Sequence, residues 1–290
     1  MERVEVRSAD GRLLEAAVAG PPDGQPLIFH TGTPSAGLVF EPMIEQGSER
    51  GVRHISYCRP GYGDSERRRG RSVADCVEDV TAVADHFGAE QFLTVGWSGG
   101  GPHALACAAL MGERTIAAAT LASVAPYDSD GLDFLAGMGE ENVVEFGLAL
   151  EGEGAVTHFV EQQAAALASV TGAEVAASLG DLIGDVDRDA LDGPFADYMA
   201  ELIRAALRRG PWGWVDDDLA FTMPWGFDLE AIERPVTIWQ GDGDRMVPFS
   251  HGQWLAGHVA GAEARLLDGE GHISLLSRRY GQLLDELLEA

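Results

Sequence analysis

The stretch Phe92 to Gly101, FLTVGWSGGG, decides the fold, because it joins a short apolar run to a serine set among glycines. The run Phe92 to Val95 predicts a strand, and the alanine-rich stretch after the glycines predicts a helix. A turn this sharp needs neighbours without side chains, and Gly96 and Gly100 stand two positions either side of Ser98. We therefore predict a strand, a tight turn and a helix, with the Ser98 hydroxyl placed to act as a nucleophile.

Strand-like and helix-like segments alternate on both sides of this turn. The predicted strands are Val4–Arg7, Leu13–Val18, Pro26–His30, Val52–Tyr57, Phe92–Val95, Ile116–Leu121, Pro235–Gln240 and Ala264–Leu267. The predicted helices are Leu38–Glu49, Ser72–Phe87 with Ser72 as N-cap, Pro102–Met111, Phe249–Val259 and a last helix from Leu275. This alternation predicts an α/β fold with a mostly parallel eight-stranded sheet flanked by helices.

Residues 127–230 interrupt the alternation, since they contain helical patterns and no strand-like run. We call this segment the insert. It follows the sixth strand, so it should form a helical cap over the strand ends where ligands bind in open α/β sheets. Residues 1–126 and 231–290 form the predicted core domain. We expect the tryptophans of the insert either to line a pocket or to seat it on the core, and its acids, such as Glu140, Glu141 and Asp216–Asp218, to be exposed.

The composition argues against some classes of binding partner. The formal net charge is -27 and lysine is absent, which argues against nucleic acid and against an anionic membrane surface. No apolar run is long enough to span a bilayer, and the N-terminus lacks a signal-peptide core, so we predict a cytoplasmic protein acting on a small molecule. A homodimer is left open.

The three cysteines are scattered and lack metal-ligand spacing, which indicates reduced packing residues. We predict that the basic stretch Glu66–Arg71 is a solvated loop.

A nucleophilic serine needs a general base, and the base needs an orienting carboxylate. His272 fits the base, because it follows the last strand in a glycine-flanked loop. Asp244 fits the acid, since it follows the strand before that one; Asp242 is its nearest competitor and Asp128 a remoter one. Loops after adjacent parallel strands can bring Asp244 and His272 together. No metal site is predicted.

The oxyanion of an acyl-transfer intermediate needs two donors. The Gly99 N–H supplies the first, at the N-terminus of a helix whose dipole helps. The loop after the third strand, His30 to Pro34, should supply the second from the Thr33 N–H, with Gly32 permitting a close approach to the substrate. Trp97 either lines the substrate pocket or packs against the sheet, and the sequence leaves both open.

These motifs resemble those of the cap-bearing group of the α/β-hydrolase superfamily. The resemblance rests on Gly-Thr-Pro at 32–34, Arg-Pro-Gly-Tyr-Gly-Asp-Ser at 59–65, Gly-Trp-Ser-Gly-Gly at 96–100 and the loops of Asp244 and His272. The chain order of serine, acid and base is also that of the family. Thr31 stands where the family often has histidine, and Ser35 where it has glycine. Both departures leave the backbone donor intact.

The resemblance implies a cofactor-free serine hydrolase that cleaves a carboxylic ester or lactone of a small to medium apolar substrate through an acyl-enzyme on Ser98. Carbon–carbon bond hydrolases, perhydrolases and prolyl-type aminopeptidases use the same three groups and stay open. The aminopeptidases would need cap carboxylates aimed at a substrate amine. A small-ligand-binding protein on the same fold is the non-enzyme alternative. Epoxide hydrolases and dehalogenases carry an aspartate where this chain has Ser98.

Overall fold

A single twisted sheet organises the chain, and the computed structural model describes all of it, residues 1–290. The strands are β1 Glu2–Arg7, β2 Leu13–Ala19, β3 Gln25–His30, β4 Val52–Tyr57, β5 Phe92–Trp97, β6 Thr115–Leu121, β7 Val236–Gly241 and β8 Glu263–Leu267. Their order across the sheet is β1-β2-β4-β3-β5-β6-β7-β8. Only β2 runs antiparallel to its neighbours, β1 and β4. The predicted eight-stranded, mostly parallel sheet is confirmed.

The central strands are buried on both faces, which is why they read as continuous apolar runs rather than as alternating patterns. Every residue of β5 is buried. In β3, Leu27 and Phe29 pack into one apolar cluster and Ile28 into another, so successive side chains reach opposite faces of the sheet. The edge strand β1, by contrast, exposes most of its residues.

Five helices cover the two faces: α1 Glu41–Glu49, α2 Cys76–His86, α3 Gly101–Leu110, α10 Phe249–His258 and α11 His272–Glu289. The helix α2 begins four residues later than predicted. The Asp75 carboxylate accepts hydrogen bonds from the Ser72 N–H and hydroxyl, so these residues close a turn ahead of the helix. None of the helices in the structure combines the length and the apolar composition that a membrane span requires.

Between β6 and β7 the chain forms helices and no strand. They are α4 Glu140–Glu151, α5 Glu153–Leu167, α6 Gly172–Ser178, α7 Asp185–Ala190, α8 Gly193–Ala206 and α9 Trp212–Phe221. The helices α4, α5 and α9 pack on one another. Side chains from α4 and α9 share a cavity with Ser98, so the insert lies over the carboxyl end of β5.

Candidate active site

Ser98 occupies the sharp turn between β5 and α3. Its φ is 55°, one of two positive values among the non-glycine residues. A Cβ on Gly96 would lie 2.6 Å from the Gly101 Cα, and one on Gly100 would lie 2.8 Å from the Thr31 carbonyl oxygen. Only glycine therefore fits at either position, and the strained backbone is held by the packing around it.

His272 and Asp244 lie together after the last two strands, as the sequence predicts. The His272 Nδ1 is 2.8 Å from the Asp244 Oδ2. The other carboxylate oxygen of Asp244 accepts the N–H groups of Met246 and Val247 at 2.9 and 2.8 Å, and the Gln240 amide donates to Oδ2 at 3.0 Å. With every direction occupied, the carboxylate cannot turn away from the imidazole.

The charge state of His272 is set by burial and by two carboxylates. The side chain is 1 % exposed. Burial acts to lower the pKa of His272, but Asp244 and, more weakly, Asp187 overcome it and the pKa is raised above its usual value. This arrangement stabilises an imidazolium that forms transiently when the ring accepts a proton.

Trp97, which precedes Ser98 in the chain, contacts His272. Its ring centroid lies 5.5 Å from that of His272, and its Nε1–H donates to the His272 carbonyl oxygen at 3.2 Å. No hydrogen bond joins Ser98 directly to His272 in this structure. Trp97 is 3 % exposed, belongs to the main apolar cluster and does not line the pocket, so it is placed as a packing residue rather than a substrate contact.

The loop after β3 lies against the serine turn. A Cβ on Gly32 would stand 3.2 Å from the Ser98 Cβ, and one on Gly99 would stand 3.1 Å from the Thr33 Cβ. Thr33 and Gly99 line the same cavity as Ser98, whereas Gly32 does not reach its wall. The two predicted backbone donors are therefore carried by segments in van der Waals contact beside the serine.

Arg59 holds the loop after β3 in place through hydrogen bonds from its guanidinium. Its guanidinium donates to the carbonyl oxygens of Thr31 and Gly32 at 2.5 and 2.7 Å and to the Thr33 hydroxyl at 3.0 Å. Arg59 belongs to the 59–65 motif of the family resemblance. In the structure this arginine holds the backbone that carries the Thr33 N–H.

Asp217 of α9 completes this network and was missed by sequence analysis. Its fully buried carboxylate accepts hydrogen bonds from Arg59, Arg71, Tyr62 and the Thr33 hydroxyl. Burial acts to raise the pKa of Asp217, but the two arginines hold it well below its usual range. The insert thus reaches the loop after β3 through Asp217 and its ion pair with Arg59, and the carboxylate stays charged.

Asp187 of α7 is a second insert carboxylate that sequence analysis missed. Its oxygens accept the N–H groups of His272, Ile273 and Ser274 at 3.1, 2.9 and 2.9 Å. These are the first N–H groups of α11, which would otherwise lack partners. This capping explains why α11 begins at His272 rather than at the predicted Leu275, and it places His272 in a fixed first turn.

The basic stretch 66–71 is only partly solvated, contrary to expectation, because several of its arginines pair with acids of the insert. Arg67 pairs with Asp216 at 2.8 Å and Arg71 with Asp217 at 2.5 Å, while Arg67 and Arg69 both reach Glu153. The expected exposure of Asp216–Asp218 is likewise wrong, because these side chains are at most 1 % exposed. The stretch of arginines and the run of aspartates are two halves of one core–insert contact.

A cavity of about 230 Å³ lies over Ser98, and 11 of its 21 lining residues are hydrophobic. The insert supplies most of the wall, including Trp214, Asp218 and Phe221 of α9, which share one helix face at spacings of four and three residues. Of the other insert tryptophans, Trp212 lies under the Arg67 guanidinium and Trp225 is buried against the core. The tryptophans therefore divide between the two expected roles.

This strand order, with a strained serine turn after β5, a buried carboxylate after β7 and a histidine after β8, defines the α/β-hydrolase class. Residues 25–278 match the family model described as alpha/beta hydrolase fold. The chain therefore belongs to this family and is a hydrolase of it.

Relatives agree with this assignment. The chain is 26% identical to an uncharacterized hydrolase, YcgS, of Bacillus subtilis (strain 168), over 97% of this chain and 95% of that protein. It is 31% identical to epoxide hydrolase B of Mycobacterium tuberculosis (strain ATCC 25618 / H37Rv), over 50% of this chain and 42% of that protein. The structure of a bromoperoxidase from Bacillus anthracis covers 100% of both chains with a TM-score of 0.74 at 20% identity, which shows the shared fold.

Proposed function

We propose that this protein is a serine hydrolase that cleaves a carboxylic ester or lactone of a small to medium substrate through an acyl-enzyme on Ser98. The observation that carries the proposal is the positive φ of Ser98 in a glycine turn that faces the cavity. A strained turn of this kind costs free energy and persists at functional sites. The hydrogen bond between the His272 ring and the Asp244 carboxylate supports the same proposal.

In the proposed mechanism the Ser98 Oγ attacks the substrate carbonyl while the His272 Nε2 accepts the hydroxyl proton. Asp244 accepts the Nδ1–H, which fixes the tautomer and stabilises the imidazolium. The developing oxyanion receives the N–H groups of Thr33 and Gly99. His272 then returns the proton to the leaving alcohol, and a water molecule, activated by the same ring, releases the acid and restores Ser98.

The bond between Ser98 and His272 that this mechanism needs is absent from the free structure. Such contacts are often long without substrate and tighten in the substrate complex. Asp187 and Trp97 both contact the backbone at His272, so they determine where the ring stands when the cavity is filled. The insert acts in this scheme as a cap that shapes the cavity and limits the entry of bulk solvent around the reacting groups.

The test is covalent labelling by a fluorophosphonate probe, followed by turnover of nitrophenyl esters graded by acyl length, lactones and proline anilide. Wild-type protein should be labelled at Ser98, and Ser98→Ala should lose labelling and at least about 10⁴-fold in kcat. Ser169→Ala removes an exposed serine of the insert and should keep both. An unlabelled but folded wild type, or ester turnover that survives in Ser98→Ala, would refute the mechanism.

The same assays, with an epoxide added to the substrates, separate the other hydrolytic chemistries. Turnover of proline anilide without ester turnover would identify an aminopeptidase that uses the same three groups. Hydrolysis of an epoxide in Ser98→Ala would indicate a different nucleophile; the half-length similarity to an epoxide hydrolase makes this arm worthwhile. The turn itself argues against that outcome, because residues 96–100 contain no carboxylate.

A further inference from the structure

Two acidic side chains of the insert face one another in the wall of the Ser98 cavity. Glu145 lies on α4 and Asp218 on α9, and they are 7 % and 1 % exposed. The Trp214 indole donates to the Glu145 Oε1 at 2.7 Å, whereas no N–H or O–H of another residue donates to either carboxyl oxygen of Asp218, whose one side-chain partner is the Glu145 carboxyl. A buried carboxylate left in this state is costly, and proteins usually satisfy such a group.

The cavity offers this pair no internal cation. Its lining residues include Glu141 as a third acid and no lysine, arginine or histidine. Arg71 acts on Asp218 only weakly, and Asp217 beside it adds a like charge. The missing partner of Asp218 must therefore come from a proton or from a ligand.

In the empty cavity the partner is a proton. Burial raises the pKa of Asp218 well above its usual range, and the facing Glu145 raises it further. Burial also raises the pKa of Glu145 to about 7, in spite of the Trp214 hydrogen bond. Two carboxyls this close do not both ionise readily, so at neutral pH the pair retains a proton that lies between them.

We propose that the Glu145–Asp218 pair is a recognition subsite for a basic nitrogen, an ammonium group carried by the acyl part of the substrate. This inference rests on the proposed function only in placing that group on an acyl chain attached at Ser98. The ammonium N–H groups satisfy the unpaired oxygens of Asp218, and its charge replaces the shared proton, which leaves to solvent. Phe146, Trp214 and Phe221 also line the cavity, and aromatic rings attract cations.

The binding experiment compares pentylammonium with 1-pentanol, a neutral molecule of similar length, by calorimetry at pH 7 on wild type and on Ser98→Ala. We expect pentylammonium to bind about 10- to 100-fold more tightly than the alcohol, the range expected for hydrogen bonds to a charged group. Repeating the titration in two buffers of different ionisation enthalpy measures proton release. Wild type should release a fraction of one proton when the cation binds and none with the alcohol.

The variants Asp218→Asn and Glu145→Gln keep the shape of the pair and remove its charge. Each should lose most of the preference for the cation, and each should release fewer protons than wild type when the cation binds. Asp189→Asn and Glu161→Gln change exposed acids of the insert by the same chemistry and should behave as wild type. Equal affinity of wild type for amine and alcohol would overturn the proposal, as would a preference that survives in both pair variants.

A kinetic arm keeps this result separate from the proposed function. The nitrophenyl esters of 6-ammoniohexanoate and heptanoate differ mainly in the charge and the N–H groups at the chain end, and wild type should favour the cationic ester in KM by about tenfold or more. Cation binding without Ser98-dependent ester turnover would uphold the subsite and refute the esterase. Ester turnover without cation preference in either assay would do the reverse.

Discussion

The two sides of α9 carry adjacent aspartates that are equally buried and meet opposite surroundings. Asp217 faces the core, where Arg59, Arg71 and two hydroxyls donate to it, and its pKa is lowered. Asp218 faces the cavity, where no donor reaches either oxygen, and burial together with the Glu145 carboxyl raises its pKa. Burial by itself does not decide whether an acid is charged; the donors within reach decide it.

This difference divides the insert into a part that holds the site together and a part that is left unsatisfied for a ligand. The core-facing carboxylates, Asp217 and Asp187, anchor the loop after β3 and the first turn of α11. The cavity-facing pair makes no comparable contact with the core. Buried polar groups that lack hydrogen-bond donors in an otherwise well-packed protein are expected at functional sites. The contrast leads to four predictions, the largest first.

Removing Asp217 should have the largest effect on stability. Asp217→Ala leaves Arg59 and Arg71 buried without their carboxylate, and breaking a buried ion pair in this way costs about 3–5 kcal/mol. The free energy of unfolding from urea titrations measures the loss. Asp189→Ala, at an exposed position of α7, should stay within about 0.5 kcal/mol of wild type. If Asp217→Ala loses less than about 1 kcal/mol, the core-facing side is not the anchor described here.

Removing Asp187 should cost about 2 kcal/mol, because three N–H groups at the start of α11 lose their acceptor. It should also change the pH profile. His272 must be neutral to act as a base, and Asp187 contributes to raising its pKa. In Asp187→Ala the pKa falls, so the acidic limb of kcat/KM should move to lower pH.

Asp185→Ala removes an exposed acid from the same helix and provides the control for Asp187→Ala. It should leave both the unfolding free energy and the acidic limb in place. A limb that moves equally in both variants would mean that the general charge of α7 matters rather than the contact with α11.

Asp218, on the cavity side of α9, should have the opposite effect on stability from Asp217: its ionisation destabilises the folded state. The folded-state pKa of Asp218 lies above its unfolded value, so the unfolded chain loses its proton first as pH rises and the folded state loses stability. Asp218→Asn does not titrate and avoids this loss. It should be more stable than wild type by about 1 kcal/mol at pH 8, with the difference shrinking toward pH 4, near the unfolded pKa of about 3.9.

Urea titrations of wild type, Asp218→Asn and the exposed control Asp189→Asn at several pH values test this expectation. A destabilised Asp218→Asn at pH 8 would show that Asp218 has a structural partner, which would remove the contrast between the two sides of α9. A gain that persists unchanged at pH 4 would show that its cause is not ionisation.

The sequence was sufficient for the parts of the molecule that local pattern determines. All eight strands form where apolar runs predict them, with ends that differ by a few residues at most. Ser98, Asp244 and His272 follow strands that the pattern also places, and the topology brings the last two together. Each of these conclusions depends on segments of a few residues and on the geometry of parallel strands.

The insert acids and the arginine stretch show what sequence reasoning lacked. Arg71 and Asp217 are 146 positions apart, and nothing near either residue shows that both become buried. A charged side chain is exposed by default, and the exception depends on a partner supplied by distant packing. The one available signal was complementarity, since Arg67–Arg71 and Asp216–Asp218 are dense runs of opposite sign.

The smallest effect should come from Tyr62, whose hydroxyl donates to Asp217 at 2.9 Å. Tyr62→Phe removes one of several donors to the carboxylate and keeps the ring against Gly213, so the loss should be about 0.5 kcal/mol. Burial raises the pKa of the Tyr62 phenol well above its usual value, so the hydroxyl remains a donor at all working pH values. The loss should therefore be the same at pH 5 and pH 8, unlike the gain in Asp218→Asn. A loss above about 2 kcal/mol, or one that changes with pH, would mean that Asp217 depends on a single neutral donor rather than on its arginines, and the distinction between the two sides of α9 would then need another cause.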